Sequence, residues 1–406
     1  MVIVEKIKGS HFIKKIIESF FGRASFTIFS MFFSFVCARI YGVEIFGKYT
    51  YAFTVVSLIM VFAKAGLDNG LIYYIPKSGN KYISFGFFVN FIASIFIVLV
   101  GYFYIDDYYV KISLPLVWIL SVEQIFFGIY RANNQIKEFY LINGFYSMIL
   151  KILLAIAFYF LFGKNVENII FSVYVSSLFS IIFYFLKNKE KFGKINFDSE
   201  FIKYSLPLVV AAMMGVLMGK IDIIMLGSMI DKKSVGIYQI ASQIAGSTSV
   251  ILMIFNTVFA PKVSQLYHAE EMDKLKEMYV KSTRFLGITS LFIILVLCLL
   301  SKYILLIFGK EFVSGQWPLI YRSIGQFLNA SVGSVWLMLA MTGKSKLQMY
   351  GNLLACILNI SLNYVFIKSY GINGAAIASM ISIGFVNILG YILVKRQFKV
   401  KAYWIF

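Results

Sequence analysis

Long apolar runs, each about the length of a membrane-spanning helix, follow one another through almost the whole chain. Because a bilayer core about 30 Å thick takes roughly 20 residues of helix, each run predicts one crossing. The runs cover residues 22–41, 50–73, 83–104, 113–130, 141–162 and 168–186, and then 205–228, 237–260, 285–308, 318–341, 348–367 and 373–394. The sequence therefore predicts an all-α integral membrane protein with about 12 transmembrane helices.

Composition excludes a water-soluble fold. Hydrophobic residues make up 60% of the 406 residues and charged residues 14%, against about 45–50% and 25% in ordinary soluble domains. The three cysteines, Cys37, Cys298 and Cys356, lie apart from one another in apolar runs, so we expect packing roles and not a disulfide or a metal site. With two histidines and no phosphate-binding loop in addition, the sequence predicts no metal, no cofactor and no catalytic residues.

A short string recurs in the two halves of the chain. Gly-x-Tyr-x-x-Ala begins at Gly47 and again at Gly236, 189 residues later, each time at the start of an apolar run that reaches a proline, Pro76 or Pro261. Many transporters consist of two such related halves. The predicted domains are an N-terminal six-helix lobe at 22–187, a cytoplasmic connection at 188–203, a C-terminal six-helix lobe at 204–394 and a cytoplasmic tail at 395–406.

Two polar stretches are interpreted as amphipathic. Residues 1–21 alternate lysines with Ile, Val and Phe and lack the apolar core of a cleavable signal, so they predict an interfacial amphipathic segment. A frayed basic tail is the alternative for these residues. Residues 262–284 alternate Leu and Met with charges and predict an amphipathic helix.

The distribution of lysine and arginine predicts the orientation. With a cytoplasmic N-terminus, 25 basic residues fall in inside segments and 9 in outside segments. Basic residues favour the cytoplasmic side, so both termini are predicted to be cytoplasmic. The net charge of +19 then reflects topology and contact with anionic lipid headgroups, not nucleic-acid binding. All predicted outside loops are short, which leaves no extracellular domain.

Charged residues inside the apolar runs point to the functional region. The cations are Lys64, Lys151, Lys220 and Arg322, and the carboxylates are Asp68, Glu123 and Asp222. An intramembrane Lys or Arg costs about 2.5–3.5 kcal/mol at a helix centre. We therefore expect these side chains to face the bundle interior or a water-filled cavity that is net positive by one, or by two if Arg39 also faces inward. The carboxylates could instead serve ion coupling.

Two of the cations also have a purely structural interpretation as members of ion pairs. Lys64 and Asp68 lie at i and i+4, a spacing that places both on one helix face where they can neutralise each other. Lys151 could pair with Glu123 from the preceding apolar run.

The other three cations could lie at the boundary between membrane and water. Lys220 could extend outward from near its helix end, Arg322 could anchor its helix one turn after Pro318, and Arg39 could be an ordinary interface residue.

If these cations instead face a cavity, their charges suit an anionic substrate such as a pyrophosphate headgroup. Some of the 27 tyrosines could line a sugar path.

Several strings resemble Wzx-type O-antigen flippases, over almost the whole chain. They are Ala38-Arg39-Ile40-Tyr41-Gly42 followed by Phe46-Gly47-Lys48-Tyr49, then Tyr204-Ser205-Leu206-Pro207, Asp222 shortly before Leu226-Gly227, Ala260-Pro261-Lys262, Met341-Thr342-Gly343, and the run from Tyr370 to Ala378. The resemblance implies the multidrug/oligosaccharidyl-lipid/polysaccharide exporter superfamily. It also implies two lobes around a central cavity, alternating access and a bacterial cytoplasmic membrane location.

The first string also resembles the first helix of lipid II flippases, where an arginine faces the cavity and meets the lipid diphosphate. The resemblance implies this role for Arg39. Lipid II flippases have another arginine six residues earlier, where this chain has Phe33.

The function expected from the resemblance is translocation of undecaprenyl-diphosphate-linked oligosaccharide repeat units of the O-antigen or capsule type. Expected partners are that substrate, membrane lipids, and polymerase and chain-length proteins of the same pathway. One alternative is a drug or cation exporter of the same fold, although the interior cations outnumber the carboxylates. Another is a non-transporting membrane enzyme of polysaccharide assembly, which would need a sizeable outer loop for its catalytic residues.

Overall fold

The computed structural model describes residues 22 and 24–401, and every regular element in that part of the chain is a helix. Nine helical segments of the described chain are long and apolar enough to cross a membrane. The predicted all-α membrane fold is confirmed, while the number of twelve crossings stays a prediction. The predicted interfacial segment at 1–21 lies outside the described residues. The chain divides into two compact units, one up to Leu217 and one from Met218 onward.

The first unit contains nine helices and the start of a tenth. They are α1 (Ala24–Tyr41), α2 (Val43–Lys64), α3 (Leu67–Ser78), α4 (Ile83–Tyr104), α5 (Tyr108–Ser113), α6 (Leu116–Ala132), α7 (Ile136–Tyr140), α8 (Met148–Phe162), α9 (Val166–Asn188) and α10 (Ser199–Met229). A π-helical segment, Leu141–Ser147, joins α7 to α8. Gly42 lies between α1 and α2 with φ at 86°, a conformation that costs an L side chain energy, so the first helix ends where the sequence predicts.

The second predicted span, residues 50–73, is not one helix. Ala65 and Gly66, both with positive φ, separate α2 from α3. Non-helical backbone at membrane depth is tolerated only where protein groups satisfy it. Here the side-chain amide of Asn90 in α4 donates to the carbonyl of Ala63 at 2.9 Å and to the hydroxyl of Ser121 in α6 at 2.8 Å. The break is therefore supported by the neighbouring helices.

The segment after α9 is held against the first unit. Phe192 packs on an aromatic cluster that includes Phe126, and the backbone N–H of Gly193 donates to the Ser84 hydroxyl at 3.0 Å. Asp198 accepts a 2.6 Å hydrogen bond from Tyr82, which lowers the pKa of that carboxyl. The connection was predicted to extend to residue 203, but α10 already begins at Ser199. The two units divide further on, inside α10, so the predicted lobe boundaries stay predictions.

The second unit contains the rest of α10 and six further helices. They are α11 (Lys232–Gly246), α12 (Ser249–His268), α13 (Met272–Phe308), α14 (Gln316–Ser331), α15 (Val335–Met341) and α16 (Ser345–Phe398). The amphipathic helix predicted at 262–284 is in fact the end of α12 and the start of α13. At 37 residues, α13 is about 55 Å long, which exceeds the thickness of a bilayer core.

The second unit also breaks its predicted spans at internal turns. Residues 237–260 divide at Ser247 and Thr248, whose hydroxyls donate to the carbonyls of Ile244 and Ala245 at 2.6 and 2.7 Å. The first and second units thus both interrupt the helix that follows the repeated Gly-x-Tyr-x-x-Ala string. The predicted span 318–341 breaks around Gly333, where α14 gives way to α15. Within α16, the positive φ of Gly371 separates the last two predicted spans.

Candidate functional site

A buried ion pair crosses the break between α2 and α3. The Nζ atom of Lys64 lies 2.8 Å from Oδ2 of Asp68, and the two residues are 8% and 7% exposed. The i,i+4 spacing therefore brings them together although no continuous helix joins them. A Cβ on Gly128 of α6 would lie 2.6 Å from the Asp68 carbonyl oxygen, so only glycine fits there without a shift. Lys64 thus has its charge neutralised inside the first unit.

Glu123 and Lys151 form a second charged group in the first unit. Glu123 is buried in α6, and its charge interacts with Lys151 of α8, which is half-buried. The polar neighbours of the carboxyl are Asn143 in the π-helical segment and Ser177 and Ser180 of α9. Its Oε1 atom has no hydrogen-bond partner among the described residues. Lys151 and Glu123 thus belong to the same unit and interact through their charges, and direct pairing between them stays a prediction.

Asp222 is the centre of a polar cluster in the second unit. The residue is 2% exposed, and its Oδ2 atom accepts hydrogen bonds from the hydroxyls of Tyr238 at 2.5 Å and Ser379 at 2.7 Å. Arg322 lies 100 residues away in sequence, but its Nη1 atom approaches the same oxygen to 3.4 Å. Four helices, α10, α11, α14 and α16, each supply one of these residues. We call this set the Asp222 cluster.

The Asp222 cluster is charge-balanced but incompletely hydrogen-bonded. A buried carboxylate is costly unless paired, and here a guanidinium and two hydroxyls stabilise it. The guanidinium also lies 5.9 Å from the centre of the Tyr238 ring. Within the described chain, Oδ1 of Asp222 and Nε of Arg322 have no hydrogen-bond partner. Arg322, with a side chain 12% exposed, is therefore an ion-pair partner and not an exposed interface anchor.

Arg39 and Lys220 are the remaining cations that the sequence assigned to a cavity. Arg39 is exposed near the end of α1, three residues before Gly42. Among the described residues, no carboxylate lies within ion-pair distance of its guanidinium. Lys220 is half-buried in α10 beside Gly219. Of the cations expected to line a cavity, Lys64 and Arg322 are thus neutralised, whereas Arg39 presents its guanidinium at the surface.

Sequence reasoning missed several polar partners. Tyr238 belongs to the repeated Gly-x-Tyr-x-x-Ala string, so the repeat itself was a signal for it. The matching tyrosine of the first unit, Tyr49, is buried against Phe33 at 6.0 Å between ring centres. Ser379 and Asn90 each have apolar neighbours on both sides in their helices, and nothing in their local sequence indicated what they contact.

The family comparison decides the class of the protein. Residues 36–316 match the model of the family described as "Polysaccharide biosynthesis protein". The chain belongs to this family. It is 25% identical over 367 residues to the "Capsular polysaccharide biosynthesis protein CapF" of Staphylococcus aureus, a match that covers 88% of this chain and 92% of that protein. It is also 23% identical over 232 residues to the "Probable low-salt glycan biosynthesis flippase Agl15" of Haloferax volcanii, covering 56% of this chain and 49% of that protein.

Solved structures show the fold of this polysaccharide biosynthesis protein. An inward-facing multidrug resistance MATE family transporter of the MOP superfamily is similar with a TM-score of 0.72 at 14% identity, covering 92% of this chain and 94% of that one. The lipid II flippase MurJ in an inward closed conformation is similar with a TM-score of 0.70 at 19% identity, covering 95% and 87%. These solved structures show the fold, and the family match confirms the predicted polysaccharide-biosynthesis class; the predicted multi-pass membrane class is confirmed as well.

Proposed function

We propose that this family member is a flippase for lipid-linked oligosaccharide. It moves undecaprenyl-diphosphate-linked repeat units of the O-antigen or capsule type across a bacterial cytoplasmic membrane by alternating access, with both termini cytoplasmic. The family match over residues 36–316 supports a polysaccharide pathway. The names of the similar proteins CapF and Agl15 support a capsular polymer and a flippase activity respectively. Polymerase and chain-length proteins of the same pathway are proposed partners.

The single observation that carries the proposal beyond family membership is that Arg39 is exposed and is not engaged in an ion pair within the described chain. Its guanidinium is exposed and has no carboxylate partner among the described residues. Lys64 and Arg322 are instead engaged with Asp68 and Asp222. A guanidinium offers a planar fork of N–H donors that matches phosphate oxygens two at a time. Arg39 is therefore our candidate for the first contact with the lipid diphosphate.

The same contacts disfavour export of organic cations. A cation exporter needs carboxylates that are available to its substrate. Asp68 and Asp222 already hold Lys64 and Arg322, so they are not available in this conformation. A polysaccharide-assembly enzyme is disfavoured by the short connections between helices on the predicted outer side, such as the three residues between α8 and α9.

Deletion of the gene tests the transport proposal. Lipid-linked repeat units should accumulate on the cytoplasmic leaflet and surface polymer should disappear, and the wild-type gene should restore the polymer. Accumulation in the outer leaflet would contradict flipping and would favour a later enzymatic step.

Reporter fusions after Lys191 and after Lys401 test the topology, because both should read cytoplasmic; a periplasmic signal from either would overturn it.

Substitutions at Arg39 test its proposed role. Arg39→Ala should lose most export, and Arg39→Lys should retain only a part of it, because an ammonium is a point charge without the planar fork. The matched control is Lys48→Ala, a nearby cation in α2 that already pairs with Glu44 at 2.7 Å, and it should retain export. Full export by Arg39→Lys would exclude bidentate phosphate binding even if the alanine variant failed.

A further inference from the structure

Two stacked and exposed tyrosines of the first unit take no part in the contact proposed above for the lipid diphosphate. Tyr73 of α3 and Tyr204 of α10 have ring centres 4.5 Å apart, and their planes are inclined by 21°. Each ring covers one face of the other, yet the two residues remain 49% and 39% exposed. Each tyrosine therefore keeps open ring surface. We call these two residues the tyrosine pair.

Close packing of α3 against α10 fixes the tyrosine pair. A Cβ on Gly66 would lie 2.1 Å from the carbonyl oxygen of Ser205, and one on Gly70 would lie 2.2 Å from its hydroxyl oxygen. Glycines four residues apart thus let the two backbones approach each other directly beside Tyr204. Tyr74, which is 8% exposed, packs nearly perpendicular to both rings of the pair, with centres 5.1 and 5.7 Å away. The open rings are therefore held in position by buried contacts.

The exposed side of α3 differs from that of its neighbour α4. From Phe88 to Val100 every exposed position of α4 is apolar, as expected of a helix that contacts lipid tails. On α3, half-buried Asn69 and exposed Lys77 lie four residues before and after Tyr73, so the three share one face. Polar side chains of membrane helices face protein or water and avoid hydrocarbon. The tyrosine pair therefore borders water and not lipid tails.

Polar groups that are available to a ligand surround the open rings. In the described part of the chain, the hydroxyls of Tyr73 and Tyr204 and the amide of Asn69 have no hydrogen-bond partner. The exposed Glu200 carboxylate, one turn before Tyr204, forms no ion pair with a described residue. A sugar ring presents C–H groups of slight positive charge, which suit the negative face of an aromatic ring, and hydroxyls, which need donors and acceptors. This surface offers both.

We propose that the tyrosine pair binds a sugar of the lipid-linked oligosaccharide. The inference rests on the proposed function, because it assumes that the transported lipid carries a glycan. One sugar ring lies on the open ring surface of the pair. Since α3 and α10 are antiparallel here, Asn69 and Glu200 lie about 6 Å to either side along the helices, where they bind hydroxyls of the same or the next sugar. With Lys77 on the predicted cytoplasmic side, the glycan meets the pair before the lipid crosses.

Binding of lipids to the full chain, measured by native mass spectrometry, tests the proposal. The two probes are undecaprenyl diphosphate and the undecaprenyl-diphosphate-linked repeat unit extracted from cell membranes. The wild-type chain should bind the glycosylated probe more tightly. Tyr73→Ala with Tyr204→Ala should weaken that binding by about tenfold, since one aromatic contact contributes roughly twofold to tenfold. Binding of undecaprenyl diphosphate alone should not change.

Two control variants separate sugar stacking from other roles of a tyrosine. Tyr73→Phe with Tyr204→Phe keeps both rings, so it should retain most of the preference for the glycosylated probe. Tyr146→Ala removes a tyrosine of similar exposure, 52%, from the π-helical segment, and it should leave the binding of both probes unchanged. If Tyr146→Ala weakened the binding of the glycosylated probe as much as the double alanine variant does, the assignment to the pair would be wrong.

Three further results would overturn the proposal. They are equal binding of both probes by the wild-type chain, unchanged binding by the double alanine variant, and an equal loss for both probes in that variant. None of them affects the transport function, which the accumulation of lipid-linked repeat units in the deletion strain decides separately. If the wild-type chain binds neither probe, the proposed function fails, and the sugar site fails with it.

Discussion

Breaking the ion pair between Asp222 and Arg322 should destabilise the protein, and the loss from substituting one residue should depend on whether the other is still charged. Removal of one partner of a buried pair costs about 3–5 kcal/mol, because the other charge is left behind. Arg322→Gln leaves Asp222 with its bonds from Tyr238 and Ser379, so we expect the lower limit, about 3 kcal/mol. Asp222→Asn leaves a guanidinium that is partly exposed and rests near the Tyr238 ring, and we expect about 2 kcal/mol.

The double variant should lose much less than the sum of the two losses. With both charges absent, neither side chain is left as an unpaired buried ion, and we expect a total loss of about 3 kcal/mol. The coupling energy is then about 2 kcal/mol, inside the range found for residues in one network. Equilibrium unfolding in mixtures of dodecylmaltoside and dodecyl sulfate, followed by far-UV circular dichroism, measures all four members of the cycle.

An exposed ion pair in the same unit is the control. Lys233 and Glu311 lie 2.7 Å apart, but their side chains are 52% and 58% exposed. Solvent screening should reduce their coupling to about 0.5 kcal/mol or less. Additive losses for Asp222 and Arg322, or a coupling no larger than that of the exposed pair, would refute the importance assigned to the Asp222 cluster.

Three further substitutions follow from the first unit. Gly128→Ala should lower the melting temperature in a fluorescence-detected thermal unfolding assay, because its Cβ would lie 2.6 Å from the Asp68 carbonyl oxygen; Gly215→Ala, with nothing within 4 Å of its Cβ, should not. Asn90→Leu should cost about 1–3 kcal/mol of unfolding free energy, since the Ala63 carbonyl at the helix break loses its donor; an unchanged midpoint would contradict this role. Lys151→Ala should abolish surface polymer while the protein still inserts, and normal polymer would limit Lys151 to a structural role.

Hydrophobicity was sufficient to locate the membrane helices that have no break. The predicted run 83–104 coincides with α4, because both its ends are marked by a change from apolar to polar residues. The turn at Gly42 was equally predictable from a glycine between two apolar runs. The break at Ala65 and Gly66 was not, because it lies inside an apolar run and is stabilised by Asn90, a residue of another helix. Hydropathy does not record that tertiary contact.

The charged clusters likewise include one contact that the sequence predicted and one that it could not predict. The pair of Lys64 and Asp68 was anticipated as one of two alternatives because four residues separate its members. The contact between Asp222 and Arg322 spans 100 residues, and spacing carries no information at that separation. The sequence could therefore indicate that these charges avoid lipid, but not which of them neutralise each other. Only the folded second unit brings Tyr238 and Ser379 to the same carboxylate oxygen.

The short uncharged segment of α13 should make the protein sensitive to membrane thickness. Between Arg284 and Lys302 the helix has an uncharged segment, residues 285–301, which is about 26 Å long. That is slightly shorter than a bilayer core of about 30 Å, so both flanking cations must extend along the helix to reach the headgroups. Lipids with longer acyl chains or sterols would draw these charges toward hydrocarbon, and the bilayer would have to thin around the helix. Such membranes should therefore support the activity less well than thinner ones.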